Sequence, residues 1–216
     1  MRSLTQNLAL AGGLTALGLT LLPPLSGAAQ QLLSFHMLQH LLLIVAAAPL
    51  LIASRALQSI ERRPWFTAIA QPVTAWLGFV GVFVFWHWPA AFQWAAGAAW
   101  SRLLEQTSIF AVALLFWSVA LAPEGRQSSS YGARALWVLT AAIATDLPGV
   151  IMVFSPRVFC AMPAESAWRW TLTPLQDQQI AGLLMWVPAN LVFFGMAMSL
   201  FARWMSDQNP QEMVSR

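Results

Sequence analysis

The chain contains no lysine. All eleven of its basic residues are arginine, against eight acidic residues and three histidines. Eleven arginines spread along 216 residues make no basic patch, so the high isoelectric point does not point to nucleic acid. Cysteine is almost as scarce. A single residue, Cys160, excludes an internal disulfide and every paired-cysteine metal motif. Any metal site must therefore rest on histidine, methionine, carboxylate or that one thiol. Charge of either sign is also short. Only 9% of residues are charged, against about 25% in soluble domains, too few to cover a water-facing surface. Internal repeats, coiled-coil heptads and a polar domain are lacking too.

What is present is apolar. Hydrophobic residues make up 58% of the chain, and runs long enough to cross ~30 Å of hydrocarbon recur along it. Twelve tryptophans suit the membrane–water interface. The pattern predicts an all-α integral membrane bundle, one domain over residues 1–216, with six spans near 8–22, 31–52, 72–94, 103–121, 134–154 and 179–204. Arginine sets the orientation. With the N-terminus inside, Arg2, Arg55, Arg62, Arg63, Arg126, Arg134, Arg203 and Arg216 are cytoplasmic, while Arg102, Arg157 and Arg169 are outside. Both termini are thus expected in the cytoplasm. The first segment has a second reading as a cleaved secretory signal, since Arg2 and an apolar run precede Ser26-Gly27-Ala28.

Polar groups inside membrane helices are costly, which makes each one a functional candidate. His36 and His40 lie near the outer end of the second span. Four residues apart, they stack on one helical face with ~6 Å of rise between them. Such a pair can share one metal ion, although no glutamate follows His36 as it does in zinc proteases. Gln39 flanks the same face. His87, in Trp86-His87-Trp88-Pro89, falls at the same depth, so all three histidines gather near one face of the membrane. Glu105 and Asp177, followed by Gln178, start the fourth and sixth spans in that layer. Each suits a helix N-terminus, and each could also ligate a metal or orient a histidine. Asp146 lies mid-span beside Pro148, where it serves either as a structural hydrogen-bonding group or in an ion path. Cys160 and Met162 are soft candidate ligands in the outer loop. Three imidazoles alone suit zinc as well as copper.

The run His36-Met37-Leu38-Gln39-His40, followed by Ala48-Pro49-Leu50-Leu51, resembles the CtaG-like assembly factors of caa-type cytochrome c oxidase. Trp86-His87-Trp88-Pro89 is similar to that family's Trp-His-x-Pro element. Asp177-Gln178-Gln179, leading to Trp186-Val187-Pro188, is similar to its Asp-Gln-Gln element. The resemblance implies a non-enzymatic role in a bacterial inner membrane, with copper supplied to the copper-B centre of the oxidase. The expected ligands are then His36, His40 and His87 around Cu(I), supported by Gln39, Glu105, Asp146, Asp177 and Gln178. Oxidase subunit I or its assembly intermediates, and a periplasmic copper donor, are the implied partners within the lipid bilayer. The resemblance also implies that the first span is retained. One departure stands out: Arg102 and Gln106 occupy positions where the family would place histidines, while Glu105 remains. The alternatives are a metal-free scaffold for oxidase assembly and a b-type cytochrome with haem between His87 and His36 or His40. A proton-coupled transporter using Asp146 is a further one.

Overall fold

The computed structural model describes residues 2–123, 130–160, 162 and 171–208. The chain is 82% helical, and no strand forms among the described residues. Seven longer helices build the molecule: α1 (Leu4–Leu21), α2 (Leu33–Ala53), α3 (Pro72–His87), α4 (Pro89–Gly97), α5 (Ala99–Ala120), α6 (Tyr131–Phe154) and α7 (Pro174–Asp207). Five are long and apolar enough to cross a membrane alone, and α3 with α4 makes a sixth, broken candidate. Leucines such as Leu4, Leu8, Leu136 and Leu191 point outward from these helices, as lipid-facing residues do. The all-α membrane bundle expected from composition is therefore observed. Of the arginines used to orient it, Arg126, Arg169 and Arg216 lie outside the described residues.

Local chemistry explains where the helices begin and end. Ser3 and Gln6 form a reciprocal capping box at α1, as do Thr173 and Gln176 at α7. Helix α2 has no such residue of its own, because Leu32 occupies its N-cap. The carboxylate of Asp177 caps it instead, from the first turn of α7, accepting from the backbone N–H of Leu33 at 2.7 Å and of Ser34 at 3.0 Å. One negative charge thus serves the positive ends of two helices.

The span expected at 72–94 is broken. Proline disfavours helical geometry in the residue before it, and Trp88, preceding Pro89, is extended. The chain bends by 75° there, leaving His87 as the last residue of α3. Helix α2 is also irregular. It loosens to π geometry over Leu42–Ala47, two residues after His40. Within it Ala48 donates to Leu43, five residues back. The next donor in that register would be Pro49, which has no N–H. The carbonyl of Ile44 is left over, and the indole N–H of Trp117 on α5 donates to it at 2.6 Å. Trp117→Phe keeps an aromatic ring, removes the donor and gives up part of the indole's buried volume. It is expected to cost ~1–3 kcal/mol, the range for an unsatisfied buried acceptor, read as a lower midpoint of thermal unfolding.

Helices α6 and α7 form the closest pair. A Cβ placed on Gly182 would lie 2.6 Å from the carbonyl oxygen of Gly149, so the two backbones touch. Small residues permit this approach in membranes, where packing rather than the hydrophobic effect joins helices. Phe79, Phe116, Trp117 and Phe193 fill the centre of the bundle. Trp86 binds α3 to α5 through Ser108, 2.8 Å away. These contacts fix the ends of α2, α3 and α5 around one polar cluster.

Candidate metal centre

His36 and His40 project from α2, with ring centroids 4.5 Å apart. Glu105 meets them from α5. Its Oε1 lies 3.1 Å from Nε2 of His36 and 3.6 Å from Nε2 of His40. The three side chains are 0–2% exposed. Each offers one ligand atom, and these atoms all lie within 4.8 Å of one another. Among the described residues this is the group of histidine, cysteine and acidic side chains spaced to share one ion.

His87 stands beside the group, with its ring 5.7 Å from that of His40. Its Nδ1 lies 2.7 Å from the carbonyl oxygen of Phe83, one turn back on α3. A carbonyl only accepts, so Nδ1 carries the proton and Nε2 keeps its lone pair. The ring also stacks on Phe83 at 4.1 Å, which holds its orientation. Phe92 of α4 covers the opposite side of the cluster, 5.7 Å from the His36 ring.

Five buried atoms of this cluster have no hydrogen-bond partner: Nδ1 of His36, both ring nitrogens of His40, Nε2 of His87 and Oε2 of Glu105. Buried polar groups are almost always satisfied, and each one left alone costs about 1–3 kcal/mol. Each neutral imidazole has one lone pair to give, so the three rings and the Glu105 carboxylate are a donor set of a kind that binds cations. Imidazole suits copper and zinc alike. A cavity of about 20 Å³ reaches His40 between Met37, Phe83 and Met185. That is room for one water or a small ion.

The supporting residues take distinct places. Gln39 donates to the carbonyl of Thr20 at 2.5 Å and accepts from Gln106 at 3.0 Å, tying α2 to α1 and α5. Gln39, Gln106 and Arg102 line a cavity of about 410 Å³ together with Thr20 of α1 and Ala96 of α4. Arg102 donates through Nη2 to Ala96 of α4 at 3.4 Å. Asp177 caps α2, its two oxygens accepting from the backbone N–H groups of Leu33 and Ser34. Gln178 holds the loop after α6. It accepts from Phe159 and Cys160 and donates to Arg157. Asp146 accepts from Asn190 at 2.8 Å, linking α6 to α7.

Cys160 and Met162 are buried in the apolar core, and the Cys160 thiol is not part of the histidine–glutamate group. Burial pushes that thiol up to about 11. At pH 7 it is therefore protonated, and it is also inaccessible. A maleimide reagent is expected to leave the folded protein unmodified and to label it once after denaturation, counted by intact mass.

Sequence reasoning singled out all three histidines and Glu105, but ranked Glu105 as a support. The structure places it against both histidines of α2. It also adds Phe83 and Phe92, whose apolar side chains carried no signal, and Gln106, noted only as a departure from the family pattern.

Fold and cluster together define a multi-pass α-helical membrane protein with a buried imidazole–carboxylate centre near one end of its spans. The chain belongs to the Caa3_CtaG family, the cytochrome c oxidase caa3 assembly factors, whose sequence profile matches residues 3–207. No curated protein and no solved structure matches it.

Proposed function

We propose that this assembly factor carries one Cu(I) ion as cargo for the copper-B centre of its oxidase. His36, His40 and Glu105 are the ligands, and Nε2 of His87 is a further ligand beside them. The observation that carries this reading is the buried His36–His40–Glu105 group, whose ligand atoms lie within 4.8 Å of one another, with ring nitrogens of His36, His40 and His87 left without a hydrogen-bond partner. Copper supplies an electrophilic centre that neutral imidazoles satisfy. Glu105 supplies a negative charge against the cation, which a membrane interior requires. Imidazole and carboxylate bind the ion only in their deprotonated forms, so affinity rises with pH. Few ligands leave a position open for a partner's histidine. In this account the centre faces the periplasm of a bacterial inner membrane, with both termini in the cytoplasm. A periplasmic donor loads it, and oxidase subunit I or an assembly intermediate receives the copper. No turnover is involved.

The test is the copper-to-haem ratio of the oxidase purified from cells that lack this protein. Restoring the wild-type chain is expected to restore copper B, whereas the His36→Ala, His40→Ala chain, present at equal level, leaves an oxidase with haem and little copper B. Full restoration by a chain with His36, His40 and His87 all replaced by alanine would overturn the proposal in favour of a metal-free scaffold.

A further inference from the structure

At the end of the bundle opposite the histidines lies a second polar cavity, of about 470 Å³, lined in part by Arg55, Gln58, Glu61, Arg134 and Arg203. Three helices bring its arginines together. Arg55 follows the end of α2, Arg134 lies in the first turn of α6, and Arg203 lies in the last turns of α7. Arg134 is 5% exposed. Its Nη2 donates to the carbonyls of Val119, Ala120 and Ala122 at the end of α5, but its Nε has no partner. The guanidinium groups of Arg134 and Arg203 share the ring of Tyr131, at 5.3 and 5.9 Å from its centroid. Two cations are thus held close together. None of Arg55, Arg134 and Arg203 forms an ion pair among the described residues. Among the described lining residues three guanidinium groups face one carboxylate, that of Glu61, an excess of two positive charges. The carbonyls ending α5 offset only part of Arg134's charge.

The cavity sits where four spans end, and Trp204, beside Arg203, is an interfacial type of residue. That is the depth of lipid headgroups. Basic pockets between membrane helices recognise acidic headgroups through charge-assisted hydrogen bonds to phosphate oxygens. We propose that this cavity binds a phosphate-bearing anion, the headgroup of an anionic phospholipid in the adjoining leaflet. Arg134 forms the fixed floor, and the more exposed Arg55 and Arg203 close over the phosphate.

The experiment compares thermal unfolding, followed by tryptophan fluorescence, in detergent micelles doped with phosphatidylglycerol or with phosphatidylcholine. The wild-type midpoint is expected to rise with phosphatidylglycerol alone, and native mass spectrometry should retain one such lipid per chain. Both effects are expected to vanish in the R55Q/R203Q variant, which spares the carbonyl bonds of Arg134. Should that variant fail to fold, each single variant is expected to lower the shift. A third arm adds inorganic phosphate to phosphatidylcholine micelles. An arginine-dependent shift there assigns the site to the free anion, and its absence alongside a phosphatidylglycerol shift assigns it to the lipid. Equal stabilisation by both lipids with no response to phosphate, or a shift that persists in R55Q/R203Q, would overturn the proposal.

Discussion

Replacing His36 and His40 together by alanine is expected to lower Cu(I) affinity by more than ~100-fold, above the usual range for losing a residue that only orients a ligand. The expectation follows from position. The two imidazoles rise from one face of α2, their rings are 4.5 Å apart, and both approach Glu105. Without them one carboxylate and one imidazole remain, too few soft donors to hold the ion. Glu105→Gln keeps the shape of the side chain and removes the charge. Its effect is expected to be smaller, about 10–100-fold, the range for groups that tune a metal's ligands. His87→Ala should cost less than either, because its ring lies outside the closest group. Competition with a chromophoric chelator under anaerobic conditions measures all four proteins. Far-ultraviolet circular dichroism checks that each has folded. If His87→Ala weakens binding more than the α2 pair does, the ligand set is centred on the wrong helix.

Gly182→Leu is expected to be the most damaging single substitution outside the cluster. A Cβ at that position would already lie 2.6 Å from the Gly149 carbonyl oxygen and 2.9 Å from Cβ of Met152. The first of these is backbone and cannot rotate away. Helices α6 and α7 must separate, and their separation disturbs the Asp146–Asn190 bond and the cap that Asp177 gives to α2. A loss of at least ~3 kcal/mol, the upper end for overpacking, is expected. It would be read as a lower unfolding midpoint and poor recovery from the membrane. Gly195 provides the control. Nothing lies within 4 Å of a Cβ placed there, so Gly195→Leu should be tolerated. Near-equal stability of the two variants would show that the close α6–α7 contact is not needed.

Much of this arrangement was legible in the sequence, for physical reasons. Charge scarcity and long apolar runs leave a membrane bundle as the way to satisfy the backbone. The i, i+4 spacing of His36 and His40 puts them on one face whatever surrounds them. Pro89 lay inside the span read as unbroken over 72–94; that the chain bends there by 75° depends also on how α4 packs, which no local rule gives. The π segment could not be read from Pro49 alone, because it depends on Trp117 arriving from α5. Asp177 illustrates the same limit. Its place in a first turn was visible, but its service to α2 rests on two helices meeting end to end. Glu105 was read as an acid at the start of its span, able to ligate a metal or orient a histidine. Its contact with both histidines is a tertiary fact with no trace in spacing. The arginines at the opposite end were legible as topology signals, and only the fold gathers three of them around one cavity.

The most direct test of the copper assignment is the X-ray absorption spectrum of the purified wild-type protein loaded with one equivalent of Cu(I). The account predicts a low-coordinate ion with nitrogen and oxygen neighbours only, and the outer-shell scattering of at least two imidazoles. A sulfur neighbour would contradict it and move the ion to cysteine or methionine, while failure to retain one equivalent would remove copper from the account altogether.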